Sequence, residues 1–475
     1  MEKFLQLAPP DHRDIGVTIM SAVRAESTTF DRRAVLKGFA GAGALGLLAA
    51  CGGTNAKDQP SSGAGGDGSA GKAESGTLSV WGGVPPESGP DDMFAAFMKK
   101  YPKIKVTYTR YVNDDPGNLK VDTSLQGGVP IDVIVSYGPS ALTKRATAGL
   151  LVDLTDRIAA ESAFSAYTPK EGSSNYVFDG KVYTVPMVVN PVTVMINQSM
   201  LDAKKITIPD NWTHEEFRAI AKELSADGIY GTFDTPPVAR QELGPDYTYK
   251  NGGTESNYDN PLFAQGTQLR VDMIGEKSAI PMTEILAQKL QVYSQAPFLT
   301  GKVGMLINQP YLLRYITDTK EYPHDFRTTM KPLPVAEKGK EYWNSGAYGD
   351  HVAITTRSTN QEAAWTLLKW WATEGGQYMV KGGRYPILRE NLDVDSMVKA
   401  SVGAEGDRLF DVDSVRSALF DDSLKMPIDT IQTAAPEMTT IMTSLDQQVY
   451  MGKLSVAKWA SEAKRRCDAA IAKAS

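Results

Sequence analysis

The chain has 475 residues, and its 50 basic and 56 acidic side chains give a formal net charge of −6. This mild acidity argues against a nucleic-acid partner, which needs a strongly basic face. The two cysteines, Cys51 and Cys467, and four scattered histidines are too few to indicate a disulfide framework or a metal site, so we expect no disulfide, no metal and no cofactor.

The first 50 residues have the features of an export signal. The pair Arg32 and Arg33 precedes an uncharged run of small and apolar residues from 38 to 50. Such a run is too short to cross a bilayer, which takes about 20 residues in a helix, so it favours a cleaved signal of the twin-arginine (Tat) type. The sequence Leu-Ala-Ala-Cys that ends at Cys51 resembles a lipobox, at which bacterial lipoproteins are cut and acylated. We predict cleavage before Cys51 and lipidation of that residue. The alternative is an ordinary cysteine near the cleavage site of a soluble protein.

A linker is predicted between the signal and the folded body. Residues 51–75 are dominated by Gly, Ser and Ala, and they contain too few apolar side chains to offset the entropy of ordering the chain. A flexible linker of this kind would hold the body near the membrane without fixing its orientation. Met1 and Met20 are both candidate start residues.

Strands and helices alternate through the remaining chain. The predicted elements are a strand at 78–81, a helix over 91–100, strands at 104–108 and 130–135, a β-rich run over 182–197, a helix that begins at Thr213, strands at 302–308 and 352–356, a helix over 361–373 and a terminal helix over 455–473. Thr213 and Glu216, three residues on, form a predicted capping box. The alternation predicts an α/β fold. A folded part of about 400 residues exceeds one usual core and predicts two lobes.

Short motifs occur in a fixed order along this part of the chain. They are Pro-Ile-Asp-Val-Ile at 130–134, Ala-Gly-Leu-Leu-Val-Asp-Leu at 148–154, Gly-Lys-Val-Tyr-Thr-Val-Pro at 180–186, Met-Ile-Asn at 195–197, Asp-Gly-Ile-Tyr-Gly at 227–231, Gly-Lys-Val-Gly-Met-Leu-Ile-Asn at 301–308 and Asn-Gln-Glu-Ala-Ala-Trp at 360–365. Each motif alone is weak. Together they resemble the extracellular solute-binding proteins (family 1) of ABC importers, in particular the group that includes maltose-binding protein. Ile196 departs from the tyrosine usual in that family, and we expect this change to affect packing only.

The resemblance implies a periplasmic-binding-protein fold of type II, in which two α/β lobes are joined by a hinge of crossing strands. It places the crossings near 187–194, 328–334 and Thr359. Lobe one would hold residues 76–187 and 332–359, and lobe two would hold residues 192–328 and 360–475.

The same resemblance implies a transport function. The lobes would close on a small solute, most simply a sugar or oligosaccharide, and deliver it to ABC permease subunits and their ATPase. We expect a monomer on the outer face of the bacterial plasma membrane, attached to the membrane only by lipid on Cys51.

Candidate ligand-binding residues are taken from the ends of strands, because ligands of open α/β sheets lie beyond the carboxyl ends of the strands. The candidates are Gly82, Gly83, Ser136, Tyr137, Asn190, Phe233, Asp234, Tyr311, Trp343, Tyr348, Asp350, Arg384 and Tyr385. Aromatic rings suit the apolar C–H faces of a pyranose, and planar polar groups suit its hydroxyls. Family members commonly carry a stacking aromatic at the position of Tyr311 and a polar contact at that of Asn190. For the aromatic candidates, packing in the core is the alternative.

We predict no catalytic residue, because catalytic motifs in the sequence are incomplete or absent. The segment His-Glu-Glu-Phe-Arg at 214–218 lacks the second histidine of a zinc protease, and no G-x-S-x-G motif occurs. Two alternatives to sugar transport stay open. One is a binder of another solute, such as a polyamine or a phosphorylated polyol. The other is a lipid-anchored glycoside hydrolase, which would need two carboxyl groups at a fixed separation.

Overall fold

The structure is a computed structural model, and it describes residues 75–474 apart from 168–176, 292, 389–391, 422–423 and 428–432. The predicted export signal, the lipidation site Cys51 and nearly all of the predicted linker lie outside the described residues.

The larger sheet of the described chain has six strands in the order β12-β4-β11-β3-β1-β2. Its strands are β1 (Gly76–Gly82), β2 (Ile104–Arg110), β3 (Val133–Ser136), β4 (Val185–Asn190), β11 (Ala347–Ile354) and β12 (Tyr385–Pro386). β1 runs parallel to β2 and β3, whereas β11 runs antiparallel to β3 and β4. All four residues of β3 are buried, as its continuous apolar sequence predicts for a strand covered on both faces.

The second sheet has four strands in the described part, in the order β10-β5-β9-β6. They are β5 (Thr193–Asn197), β6 (Tyr230–Thr232), β9 (Val303–Asn308) and β10 (Thr328–Lys331). β6 and β9 run parallel, so their carboxyl ends lie at the same edge of the sheet. Two short strands, β7 (Tyr249–Lys250) and β8 (Glu255–Ser256), form a separate antiparallel pair.

Helices surround both sheets. In chain order they are α1 (Pro90–Lys100), α2 (Asp115–Gln126), α3 (Pro139–Thr147), α4 (Thr155–Ala160), α5 (Gln198–Lys204), α6 (His214–Leu224), α7 (Val238–Leu243), α8 (Pro261–Gly275), α9 (Met282–Ala287), α10 (Gln295–Leu299), α11 (Leu313–Thr317), α12 (Gln361–Thr373), α13 (Val394–Val402), α14 (Gly406–Leu409), α15 (Val412–Leu419), α16 (Ala435–Tyr450) and α17 (Val456–Ala474). No helix in the described ranges has both the length and the apolar composition that crossing a bilayer requires.

The chain passes between the two sheets at defined points. The predicted β-rich run over 182–197 is two strands, and the chain leaves the first sheet after Asn190 and enters the second at Thr193. Pro191 lies between them, where its missing N–H and fixed φ interrupt strand pairing. The return lies between β10 and β11, within residues 332–346.

Hydrophobic clusters pack on both sheets, and one cluster of the four-stranded sheet extends to Tyr385 of β12. Helix α12, at residues we expect in lobe two, packs instead against the six-stranded sheet, where Trp365, Trp370 and Trp371 are buried. The Trp371 ring meets Phe94 edge-on, with 5.9 Å between ring centroids. β12 also belongs to this sheet, through its pairing with β4. The apolar face of α12 thus completes the core that α1 covers from the same side. Ile196 is fully buried in a core of the four-stranded sheet, in agreement with a packing role.

Candidate ligand-binding site

A cavity of about 630 Å³ lies beyond the carboxyl ends of β6 and β9. Phe233 and Asp234 follow β6, and Ile307 and Asn308 end β9. Most of the remaining wall comes from α7, α8, α9, the turn at Tyr311 and the C-terminal hairpin of α16 and α17, and loop residues complete it. The volume falls in the range of small-molecule sites, and the position is that expected of ligands in α/β sheets.

Aromatic side chains make up much of the cavity wall. They are Phe233, Tyr247, Tyr258, Phe263, Tyr311, Tyr450 and Trp459. The indole of Trp459 is held in place, because its Nε1–H donates to Asp446 Oδ1 at 2.8 Å. Fixed rings of this kind offer flat apolar surfaces to a ligand at low entropic cost.

The cavity is lined by equal numbers of acidic and basic side chains. Among the described residues that line it, the carboxylates are Asp234 and Asp446, and the guanidinium groups are Arg240 and Arg270. Arg270 Nη1 lies 3.2 Å from Asp234 Oδ1, and Arg270 Cζ lies 5.7 Å from the centroid of the Tyr450 ring. Arg240 donates to the Gly244 carbonyl at 3.0 Å, and its Cζ lies 5.2 Å from the Tyr247 ring centroid. Each arginine is therefore fixed over a tyrosine.

Asp446 has an altered acidity. Burial raises the pKa of its carboxyl to about 6, while the hydrogen bond from Trp459 and the charge of Arg270 act in the opposite direction. The group therefore changes its ionisation close to physiological pH.

A second cluster adjoins the cavity at Tyr311, which lines it. Arg384 Nε lies 3.0 Å from Asp350 Oδ2, and the Arg384 guanidinium carbon lies 5.7 Å from the Tyr311 ring centroid. Gly383 permits this approach: its φ is +72°, and a Cβ there would lie 2.4 Å from the Pro310 carbonyl oxygen. The segment that contains β12 thus packs directly against the turn that follows β9.

Tyr137 and Gly83 belong to the same region. The Gly83 N–H donates to the Tyr137 hydroxyl at 2.6 Å. Burial and the nearby charge of Asp350 raise the pKa of Tyr137, while Arg384 acts against the rise. Burial also raises the pKa of Asp350, and Arg384 opposes that rise. The cluster therefore joins the ends of β1 and β3 and the middle of β11 to Tyr311.

The predicted site residues fall into three groups. Phe233, Asp234 and Tyr311 line the cavity. Gly83, Tyr137, Asp350 and Arg384 form the adjoining cluster, where Gly82 packs against Tyr108 and Val135. The remaining predicted residues are outside both groups: Ser136, Asn190, Trp343, Tyr348 and Tyr385.

The structure does not bring Ser136 and Tyr385 to the cavity. Both side chains are fully buried, and Ser136 Oγ accepts from Arg145 Nη1 at 2.8 Å. The Tyr385 hydroxyl donates to Ser401 Oγ at 2.6 Å. Their polar groups are used within the protein.

The other three are not among the described residues that line the cavity. The Trp343 ring packs on Gly244, at the place that a Cβ of Gly244 would occupy. Tyr348 pairs with Val189 on β4. Asn190 is buried at the first crossing, and its Oδ1 accepts no hydrogen bond in the described structure.

Strand-end reasoning missed the polar residues that helices bring to the cavity: Arg240, Arg270, Asp446, Tyr450 and Trp459. A signal for Arg270 was present in the sequence. It shares the buried face of α8 with Phe263, Thr267 and Met273, at helical spacing, and an arginine on such a face needs a specific partner.

Comparison with known proteins identifies the family. Residues 83–378, more than half of the chain, match the model of the bacterial extracellular solute-binding protein family. The chain is 26% identical over 391 residues to the diacetylchitobiose binding protein DasA of Streptomyces coelicolor, which covers 77% of this chain and 85% of that protein. It is also 31% identical over 134 residues to an uncharacterised lipoprotein of Streptomyces antibioticus, a match that covers 28% of this chain and 29% of that one.

A solved structure supports the fold. The crystal structure of a sugar transporter from Rhizobium etli, in an open conformation, matches with a TM-score of 0.65 at 16% identity, over 83% of this chain and 100% of that one. The predicted two-lobed periplasmic-binding-protein fold of type II is confirmed. The chain belongs to the bacterial extracellular solute-binding protein family.

Proposed function

We propose that this protein is the substrate-binding lipoprotein of an ABC importer, and that it captures a neutral saccharide and delivers it unaltered to a permease. The observation that carries the proposal is the cavity of about 630 Å³ with its aromatic wall and balanced charges. Aromatic rings match the C–H faces of a sugar, and the fixed polar groups match its hydroxyls.

The charge balance favours a neutral ligand over the two charged alternatives. A polyamine would need an excess of carboxylates, and a phosphorylated polyol an excess of cations. The described lining supplies two of each sign, and Arg270 and Asp234 already pair with each other. A charged ligand would therefore enter a buried site without a compensating charge.

The names of the relatives agree with a saccharide. DasA is named for diacetylchitobiose, and the Rhizobium etli protein is a sugar transporter. Both names support the same chemical class as the cavity.

We propose that binding closes two lobes built around the two sheets. Tyr311 lies in the cavity on the side of the four-stranded sheet, whereas Asp350 and Arg384, which adjoin it, belong to the six-stranded sheet or its edge. A ligand that contacts both groups stabilises the conformation in which they are close together.

We also propose a location and an assembly. The protein acts as a monomer on the outer face of the membrane, held by lipid on Cys51, and presents its ligand to permease subunits with their ATPase. A relative is a lipoprotein, which supports the anchor. Replacing Cys51 by serine should move the protein from the membrane fraction to the medium. Retention of the Cys51→Ser protein on membranes would contradict lipid anchoring.

A ligand panel tests the transport function. Thermal unfolding should be recorded with neutral mono- and oligosaccharides, with spermidine and with a sugar phosphate, and each mixture then analysed by chromatography. A neutral saccharide should raise the melting temperature and be recovered intact. Stabilisation by spermidine or the phosphate alone would overturn the saccharide proposal, and steady release of smaller sugars would identify a glycoside hydrolase.

A further inference from the structure

One wall of the cavity carries a compact set of polar and aromatic groups. We call it the Arg270 cluster, and it consists of Asp234, Arg270, Asp446, Tyr450 and Trp459. Its members come from the loop after β6 and from α8, α16 and α17. Contacts between these elements fix the groups before any ligand arrives. The donors and acceptors of the cluster that have no protein partner therefore indicate which chemical group of a ligand would bind there.

Arg270 has an incomplete set of hydrogen-bond acceptors among the described residues. Its side chain is only 6% exposed, and within the described residues Asp234 Oδ1 is the acceptor of its guanidinium, at 3.2 Å. Arg270 Nε is buried and has no acceptor in the described part of the chain. A buried guanidinium with unused donors is costly, and an oxygen atom of a ligand would satisfy it. The Tyr450 ring beneath the guanidinium keeps it in place.

Asp446 has an incomplete set of hydrogen-bond donors among the described residues. In the part of the chain that the structure describes, the Trp459 indole N–H is its donor, at 2.8 Å, and no cation lies within ion-pair distance of the carboxylate. The carboxylate therefore has remaining acceptor capacity that an N–H or O–H of a ligand would fill. Asp446 lies one helical turn before Tyr450 on α16, and the Arg270 guanidinium lies over the Tyr450 ring, so both groups face the same part of the cavity.

We propose that the Arg270 cluster recognises the acylamino group of an N-acylated amino sugar, with the carbonyl oxygen toward Arg270 and the N–H toward Asp446. This inference rests on the proposed function and names the class of saccharide. A secondary amide supplies one acceptor, one donor and an apolar methyl group, and Tyr450 and Trp459 offer aromatic surface for the methyl.

Two simpler groups fit less well. A ring hydroxyl supplies donor and acceptor at a single atom and leaves the aromatic surface uncovered. A free amine supplies donors only, so it leaves Arg270 without an acceptor and adds a positive charge to a cavity whose charges already balance.

Calorimetry with three disaccharides of the same linkage tests the inference. They are N,N′-diacetylchitobiose, cellobiose, which has hydroxyl groups in place of the acylamino groups, and the unacetylated glucosamine disaccharide. We expect the diacetylated sugar to bind roughly tenfold or more tightly than either of the others, because a hydrogen bond to a buried charged group contributes that much discrimination.

Two variants test whether the Arg270 cluster causes the preference for the diacetylated sugar. Arg270→Gln should reduce the preference for the diacetylated sugar to nearly none. Asp446→Asn keeps an oxygen that accepts from Trp459 but replaces the other acceptor by an N–H donor, so it should also weaken the preference. This variant tests the inference independently if Arg270→Gln does not fold. Arg218→Gln is the matched control. Arg218 pairs with Glu276 at 2.9 Å outside the cavity, and its loss should leave the preference unchanged.

The outcomes separate this inference from the proposed function. Equal binding of cellobiose and the diacetylated sugar, tighter binding of the unacetylated sugar, or a preference that both cluster variants retain would overturn the inference and leave saccharide transport intact. Failure of every saccharide in the wider panel to bind would overturn both.

Discussion

Tyr311 connects the cavity to the Asp350–Arg384 pair. Its ring lines the cavity, and the guanidinium carbons of Arg384 and Arg314 lie 5.7 and 5.9 Å from its centroid. Removing the ring in Tyr311→Ala should weaken saccharide binding by about 1 kcal/mol or more, through the loss of stacking area. Tyr311→Phe keeps the ring and should bind nearly as well as the natural protein. Calorimetry measures both, and an unchanged affinity of the alanine variant would remove Tyr311 from the site.

Asp446 gives a pH-dependent prediction. Its pKa of about 6 in the folded protein exceeds the ordinary value of an aspartate, so protonation of this group favours folding. The stabilisation is fully present below the ordinary pKa, near 4, and is lost as the pH rises through 6. Relative to Asp446→Asn, the natural protein should therefore lose on the order of 2 kcal/mol of unfolding free energy between pH 4 and pH 7.

Urea unfolding of both proteins at these two pH values measures that difference. Other groups titrate in both proteins alike, so only the change in the difference between them reports on Asp446. A difference that is the same at pH 4 and pH 7 would show that Asp446 keeps an ordinary pKa.

At the scale of residues, sequence reasoning succeeds where position along a strand determines position in space. Phe233 and Asp234 directly follow β6, and Tyr311 closely follows β9, so a rule about strand ends selects them. Arg270 and Trp459 lie within helices far apart in the chain. Only the tertiary packing of α8 on the C-terminal hairpin brings them together, and no local pattern specifies that packing.

The N-terminus of α6 shows how completely a local signal can specify an element. The predicted capping box is confirmed: Thr213 Oγ1 accepts from the Glu216 N–H at 3.2 Å, and the Thr213 N–H donates to Glu216 Oε2 at 2.7 Å. Thr213→Ala should lower the free energy of unfolding by about 1 kcal/mol, because it removes an acceptor from the free N–H groups of the first turn.

Thr213→Ser keeps the hydroxyl and is the matched variant. It should unfold at nearly the same urea concentration as the natural protein. If the alanine and serine variants were equally stable, the hydroxyl would have no capping role.

Helix α12 marks the limit of such signals. Its amphipathic pattern predicts that one face is buried, and in the structure Trp365, Trp370 and Trp371 are all buried. The pattern does not say which sheet the face covers, and the helix lies on the six-stranded sheet rather than in the predicted lobe two. The path of the chain after β11 decides which core the helix covers, and the periodicity of the helix sequence contains no information about that path.

At the scale of the molecule, the path of the chain links the two sheets more than once. The crossings after β4 and before β11 connect the sheets, and β12 returns to the first sheet before the chain continues to α13. Helix α3, which follows β3 of the six-stranded sheet, also contacts α16 of the C-terminal hairpin. The proposed closure would therefore take place about the crossings and would change the contact of α3 with α16.

This arrangement makes a prediction about the shape of the protein in solution. Small-angle scattering should show a smaller radius of gyration when a saccharide that binds in calorimetry is present at saturation, because the ligand favours the closed arrangement of the lobes. A saccharide that does not bind is the control and should leave the scattering unchanged.

The two measurements together decide whether closure accompanies binding. A ligand shifts a conformational equilibrium only by the difference in its affinity for the two conformations. A ligand that contacts only one lobe would bind without making the protein more compact, because those contacts are the same in the open and closed conformations. Binding in calorimetry with identical scattering curves would therefore show that the ligand contacts only the cavity of the four-stranded sheet. It would also remove Asp350 and Arg384 from the site, because their contribution depends on the approach of the two sheets around Tyr311.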